Sequence, residues 1–510
     1  MAVDTPDRAD AGLGRYAVNN SRTWVRRTPH VLRPDHSRVI STIFLPGQEL
    51  DTGESRSTAV LNRALALSDD EVEATVTELE ASFGNRHRDL RDTWLSNFGL
   101  MVHRIQDAEG ISMRRRELIG AYFTMEYAIE GAALFNPSMV PHPDQTGLPE
   151  GATRFIMTLR AVGEGHISSL EFRTGTISAT NTIAIDAPPE VAVLSTAIPT
   201  VYSKAAFQHQ LREASDDHTN ADFVLDDLPD SFTRHDLGIA LEHLRDERLT
   251  RGTAEPTFDS IQWIAACSYA AIFPEGSSLQ ERVLMPRAPS ESQGIEDVRL
   301  VRFAPEPGLP SYVGTYTAFN GRRIETQLIH TEDFRSFTIE QTSGPGSKNK
   351  GMALFPRRIG GQFAALSRAD RESNGISLSD DLRHWDRRVL VQKPMAPWET
   401  VQLGNCGSPI ETEAGWIALT HGVGAMREYS IGALLLDLED PSIVLGRLRQ
   451  PLLAPTPEER NGYVPNVVYS CGAMLHGRTL VLPYGCSDSA TRIALVDLDA
   501  LLDELREGTP

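Results

Sequence analysis

Cysteine is scarce in this chain, and each of its other shortages also closes off a class of protein. The four cysteines, Cys267, Cys406, Cys471 and Cys486, form no CxxC pair and have no histidine at zinc-finger spacing. No structural zinc site is therefore expected, and buried free thiols in a reducing, cytoplasmic compartment are. Positive charge is in deficit: 49 Lys and Arg against 69 Asp and Glu leave a net charge of −20. A surface of that sign repels nucleic acid and anionic membranes, while leaving room for a local basic pocket around a small anion. No apolar run approaches the roughly 20 residues that span a bilayer. The opening MAVDTPDRADAG has no signal-peptide pattern. Standard catalytic signatures are missing too: no P-loop, HExxH, GxSxG elbow or strand-linked Rossmann fingerprint occurs. What is there, 40% hydrophobic and 23% charged residues over 510 positions, describes a globular chain with a sizeable core.

Three regions follow from patterning. Residues 1–20 are polar and read as a disordered tail. Residues 21–130 read as a strand (37–46) followed by a helical module. Ser68-Asp-Asp-Glu71 has the form of a capping box. Val72, Val76, Leu79 and Phe83 share one helical face, Trp94, Phe98, Val102 and Ile105 another, and a third helix is expected from Ser112 to Leu134. From 131 to 505 the period changes to two and a unit recurs, a strand running into an acidic turn. Its copies are Gln327–Phe334, Gly375–Leu382, Leu434–Asp440 and Ile493–Asp499, with a degenerate fifth at His166–Arg173. Asp333, Asp381, Asp440 and Asp499 are spaced by 48, 59 and 59 residues, a length that suits four antiparallel strands. The expected fold is mainly β, a five-bladed propeller with an α-helical N-terminal extension. Residues 185–265, with helical stretches such as Asp236–Leu244, read as a helical insertion between the first and second blades.

Polar motifs flank the strands of this region. They include Phe135-Asn-Pro-Ser138, Leu159-Arg-Ala-Val-Gly163, Gly294-Ile-Glu-Asp-Val-Arg299, Asn349-Lys-Gly-Met-Ala-Leu-Phe-Pro356 and Leu366-Ser-Arg368. Further on stand Ser379–Trp385, Gly404-Asn-Cys-Gly-Ser-Pro409, Trp416, His421-Gly-Val423 and Tyr484-Gly-Cys-Ser-Asp488. Singly each is an ordinary strand-end residue set. Together, over about 130–500, they resemble glycoside hydrolase family 130, the mannoside phosphorylases and β-mannosidases.

That resemblance implies an inverting attack on a β-mannoside, with Asp297 as proton donor and inorganic phosphate as nucleophile, released as mannose 1-phosphate. It implies no metal and no cofactor beyond phosphate as co-substrate. Lys350, Arg368 and His421 match the phosphate-binding positions, and Asn136, Arg160, Glu296, Gln402 and Asp488 match positions lining the sugar and phosphate subsites. The N-terminal helices would serve a homo-oligomer. Two departures stand out: Gln402 replaces a family lysine, and Gly351 follows Lys350 where a polar side chain is common. Loss of a cation from an anion cradle leads toward the alternative, a hydrolase in which a carboxylate such as Glu399 or Glu411 activates water. A non-catalytic sugar-binding propeller is the third reading, and the presence of Asp297 ranks it last.

Overall fold

A computed structural model of the chain describes residues 22–47, 55–214, 219–247, 254–309 and 311–508. The tail expected at 1–20 lies outside these residues, as does Ser215-Asp-Asp-His218, which reads from sequence as an acidic loop of the 185–265 segment. The fold is mainly β, and most strands fall into five antiparallel groups in chain order. The first contains Ala133–Pro141, Thr153–Val162, Ser168–Ile177 and Ile183–Ile185. The second contains Gly294–Arg302, Tyr312–Phe319, Ile324–Thr331 and Ser336–Gln341, and it continues the first as one twelve-stranded sheet. The third runs from Ala353–Leu354 through Phe363–Ser367 and Asn374–Ser379 to Arg387–Gln392. The fourth orders Gln402–Asn405, Gly415–Val423, Tyr429–Leu436 and Val444–Arg447. The fifth orders Val468–Tyr469, Thr479–Cys486 and Ala490–Asp497, and its last place is taken by the N-terminal strand Val25–Leu32.

Alternating side chains explain how these groups pack. A strand covered on both faces is apolar throughout, while period two still sends successive residues to opposite neighbours. Phe155, Met157 and Leu159 join Val481 and Ile493 of the fifth group in one core. Ile156 on the same strand joins Ile295 and Leu300 of the second in another. Further cores lie between second and third, third and fourth, and fourth and fifth groups, so the packing order returns to its start.

The repeated turn has a structural cause, and its register differs from the sequence reading in two copies. Asp333 Oδ1 accepts from the backbone N–H of Arg335 and Ser336 at 2.8 Å, and Asp381 Oδ1 does the same for Arg383 (2.9 Å) and His384 (2.8 Å). In the fourth group this residue is Asp437 rather than Asp440, with Glu439 and Asp440 donating at 2.9 Å. In the fifth it is Asp497 rather than Asp499, capping the helix Leu498–Glu507. The degenerate copy is corrected further: His166–Arg173 leads into the third strand of its group instead of out of it, and Glu171 is a buried partner of Arg38 and Arg173.

The N-terminal helices are Arg56–Ala66, Asp69–Phe83, Leu90–Met101 and Met113–Tyr122. The capping box of Ser68 and Glu71 forms, and Val72, Val76, Trp94 and Phe98 are buried. Val102 is exposed, because Met101 takes the inward position. The expected helix to Leu134 ends at Tyr122. Thr124–Ala128 pairs instead with Val39–Ile43, its β-branched and aromatic residues suiting a strand, and Ala133 already begins the first group. In the segment read as an insertion, Lys204–Ala214, Thr219–Asp226, Arg234–Asp246 and Glu255–Ala266 enclose a core of their own around Phe207, Val224, Leu241 and Ile261. Among the described residues no helix is long and apolar enough to cross a membrane.

Candidate active site

The first strands of the five groups bring their polar residues to one cavity of about 140 Å³. Asn136 comes from the first strand of the first group, Asp297 from that of the second and Gln402 from that of the fourth. Lys350 stands just ahead of the third group, and Tyr469 ends the first strand of the fifth. Second strands and the turns after them supply Arg160, Arg368, His421 and Asp488. All eight residues proposed from sequence other than Glu296 border the cavity. Glu296 is held one step back, where its Oε1 accepts from Arg160 Nη2 at 2.6 Å.

Backbone irregularity aims the central pair. The pairing register shifts between Phe135 and Ser138, and again between Glu296 and Arg299. Asn136 (φ 49°) and Asp297 (φ 55°) sit in these bulges in the left-handed region, which Asn and Asp tolerate better than most side chains. Asn136 Nδ2 donates to Asp297 Oδ1 at 2.6 Å, and Arg160 Nη1 lies 3.7 Å from the same oxygen. Arg299 supports the strand from behind, donating to the Asp297 carbonyl at 3.0 Å, to Asn405 Oδ1 at 3.2 Å and to the Tyr469 hydroxyl. Gly351 has φ 87°, a conformation that favours glycine, and its carbonyl accepts from Asn405 Nδ2.

The charges are not what residue type alone suggests. Burial would raise the Asp297 carboxyl, but Arg160, Arg299, Lys350 and the Asn136 amide outweigh it and hold the group below its ordinary value. Asp488 goes the other way: burial, and then the negative charge of Asp297, push it up to about 6. His421, at a position matched to phosphate binding, is not a cation. Burial and the neighbouring Arg368 drive its pKa well below the usual imidazole range, so the ring is neutral. Its Nδ1–H donates to the Asn405 carbonyl (3.1 Å), which leaves Nε2 to accept from Arg368 Nη1 (3.4 Å). His421 therefore orients an arginine and adds no charge. Gln402 also contributes none, its Nε2 donating to the Tyr429 hydroxyl at 3.2 Å.

Hydrogen-bonding capacity is left over where a ligand would use it. Asn136 Oδ1, Arg160 Nε and Arg368 Nε are buried without a hydrogen-bond partner. The two carboxylates considered as water-activating bases stand elsewhere. Glu399 is buried under the backbone N–H groups of Met395 (2.9 Å) and Ala396 (2.8 Å), and Glu411 pairs with Arg357 at 2.7 Å on the surface. Neither borders the cavity. Asn405, Arg427, Tyr429 and Tyr469 were not proposed from sequence. Arg427 had a detectable signal: Arg160-Ala-Val-Gly163-Glu-Gly-His166 and His421-Gly-Val-Gly424-Ala-Met-Arg427 share spacing, and each runs from a cavity-lining residue into a hairpin tip.

A family model described as beta-1,4-mannooligosaccharide phosphorylase matches residues 276–507. The 1,2-beta-oligomannan phosphorylase of Thermoanaerobacter sp. is 33% identical over 224 residues, 43% of this chain and 74% of that one. The beta-1,2-mannobiose phosphorylase of Listeria innocua is 31% identical over 272 residues, 51% of this chain and 74% of that one. The solved structure of a Listeria innocua beta-1,2-mannobiose phosphorylase with beta-1,2-mannobiose superposes at a TM-score of 0.45 with 22% identity, covering 75% of this chain and 93% of that one. The protein is a carbohydrate-active enzyme. It belongs to glycoside hydrolase family 130.

Proposed function

We propose that this enzyme is an inverting β-mannoside phosphorylase and that its five strand groups are the blades of a five-bladed propeller. The cyclic order of the shared cores supports the propeller. One observation carries the activity: a buried carboxylate, Asp297, lies in the same small cavity as Lys350 and an Arg368 whose Nε has no partner. Phosphate held by Lys350 and Arg368 attacks the anomeric carbon. The glycosidic C–O bond breaks, and its oxygen takes the proton of Asp297 and leaves as the shortened acceptor. The other product is mannose 1-phosphate.

In the free enzyme Asp297 is held ionised, in part by Lys350. A phosphate anion offsets that cation and its neighbours, so binding of the nucleophile raises the Asp297 pKa and draws in the proton the leaving group needs. The second reading, hydrolysis, rests on Asp488, the other carboxylate of the cavity and one that titrates near 6. Relatives are named for both 1,2 and 1,4 activities, which makes both mannobioses the substrates to test.

Incubation with β-1,2- and β-1,4-mannobiose, with and without phosphate, separates the readings. Phosphorolysis yields mannose 1-phosphate only when phosphate is present, whereas free mannose at an unchanged rate without phosphate means hydrolysis. Asp297→Asn, an amide that also tolerates φ 55°, is expected to lower turnover by about 10²–10⁴-fold. Activity close to the parent's on an unactivated mannoside removes Asp297 from the role of acid.

A further inference from the structure

We propose that Arg427 binds the phosphate co-substrate from the mouth of the cavity, completing a three-cation clamp with Lys350 and Arg368. The inference rests on the phosphorolytic reading above. It starts from a hairpin built against its own residue preferences. Strands Gly415–Val423 and Tyr429–Leu436 are joined by a tip in which Gly424 N–H donates to the Glu428 carbonyl at 3.0 Å. Met426 (φ 57°) and Arg427 (φ 56°) are both left-handed. Such tips ordinarily use glycine or asparagine, because an L side chain with a Cβ is crowded there. The equivalent tip of the first group places Gly165 (φ 67°) before His166 (φ 61°), so a glycine solution exists in this same fold.

Packing does not repay the strain, since Met426 is 87% exposed. What the conformation secures is direction. Arg427 borders the cavity, its guanidinium 5.9 Å from the Tyr429 ring centroid. Among the described residues it forms no ion pair with a carboxylate, and the adjacent Glu428 is engaged by Arg460 at 3.5 Å. Its neighbours leave that wall otherwise uncharged. Gln402 and Tyr429 are bonded to each other, and His421 is neutral, so the wall supplied by the fourth group has no other positive charge. Lys350 and Arg368 come from the third group. Arg427 would thus face them across the anion, with donors in a planar fork that suits phosphate oxygens.

Inorganic phosphate is the probe, with Arg427→Gln, Arg427→Lys and the double variant Met426→Asn/Arg427→Gly. In Arg427→Gln the KM for phosphate is expected to rise about tenfold or more, with the KM for mannobiose within about twofold of the parent. Arg427→Lys recovers part of the loss. The double variant puts a favourable turn sequence at the tip, so it melts at or above the parent's temperature while losing phosphate affinity as Arg427→Gln does. A purely structural role for Arg427 predicts the reverse pairing. An unmoved phosphate constant in Arg427→Gln, with a parent that requires phosphate, overturns the Arg427 inference alone. A parent indifferent to phosphate overturns it together with the phosphorolytic reading.

Discussion

Two carboxylates border the cavity, and their surroundings push them in opposite directions. Asp297 is flanked by cations and stays ionised, while Asp488 is buried beside Asp297 and titrates near 6. The folded-state value of Asp488 lies above its ordinary 3.8, so it contributes stability in full below that pH and loses it as pH rises through about 6. Asp488→Asn removes a charge that the fold resists, and asparagine tolerates the φ of 49° found there. The variant is expected to be more stable than the parent at pH 8, by something on the order of 2 kcal/mol, with the gap closing toward pH 4. Thermal melts across that range check it, and a parent that melts higher at pH 8 contradicts it.

At the scale of elements, the helix Lys204–Ala214 grips the segment that leads to Lys350. Gln210 Nε2 donates to the Gln341 carbonyl at 2.9 Å, Glu213 accepts from Gly344 N–H and Lys348 Nζ, and His209 stacks on His384 at 3.9 Å between centroids. Asn349, next along, donates through Nδ2 to the Arg368 carbonyl at 3.1 Å. Two phosphate-binding candidates therefore lean on one helix outside the strand groups. Glu213→Gln is expected to raise the phosphate KM several-fold, with little change in mannobiose KM. The melting temperature should barely move, because a partly exposed ion pair contributes only about 0–1 kcal/mol. Steady-state kinetics with each substrate varied in turn test this, and equal changes in both constants count against a positioning role.

Across the whole molecule the first and last described strands pair in one sheet. Val25–Leu32 pairs with Ala490–Asp497, Thr28 Oγ1 donates to the Ile493 carbonyl at 2.9 Å, and Arg27 pairs with Glu459 at 3.2 Å. Deleting residues 22–32 leaves Ala490–Asp497 as a bare edge and takes from the buried Glu459 its nearer arginine, leaving Arg492 at 4.0 Å. The expected result in scanning calorimetry is a fall in melting temperature of more than about 5 °C. A truncated protein that melts with the parent shows that the N-terminal strand does not close the sheet in solution.

The sequence by itself determined what depends on near neighbours. Ser68 and Glu71 cap a helix across three residues, and Asp333 and Asp381 each bond backbone groups two and three positions on, so both devices are legible in a short window. It also supplied the chemical identity of the cavity, since Asn136, Asp297, Lys350 and Arg368 stand in recognisable motifs. It did not determine where a strand pairs with distant chain. Thr124–Ala128 has helix-compatible spacing and becomes a strand only because Val39–Ile43 lies beside it. Asp437 and Asp440 both suit an acidic turn, and the end of the strand at Leu436 selects the first. Nor did it determine charge. His421 is neutral because the packed sheets strip its water and set Arg368 against it, and Arg427 reaches the cavity because a strained hairpin turns it there. Desolvation and long-range contact are properties of the assembled sheets, and only the tertiary structure carries them.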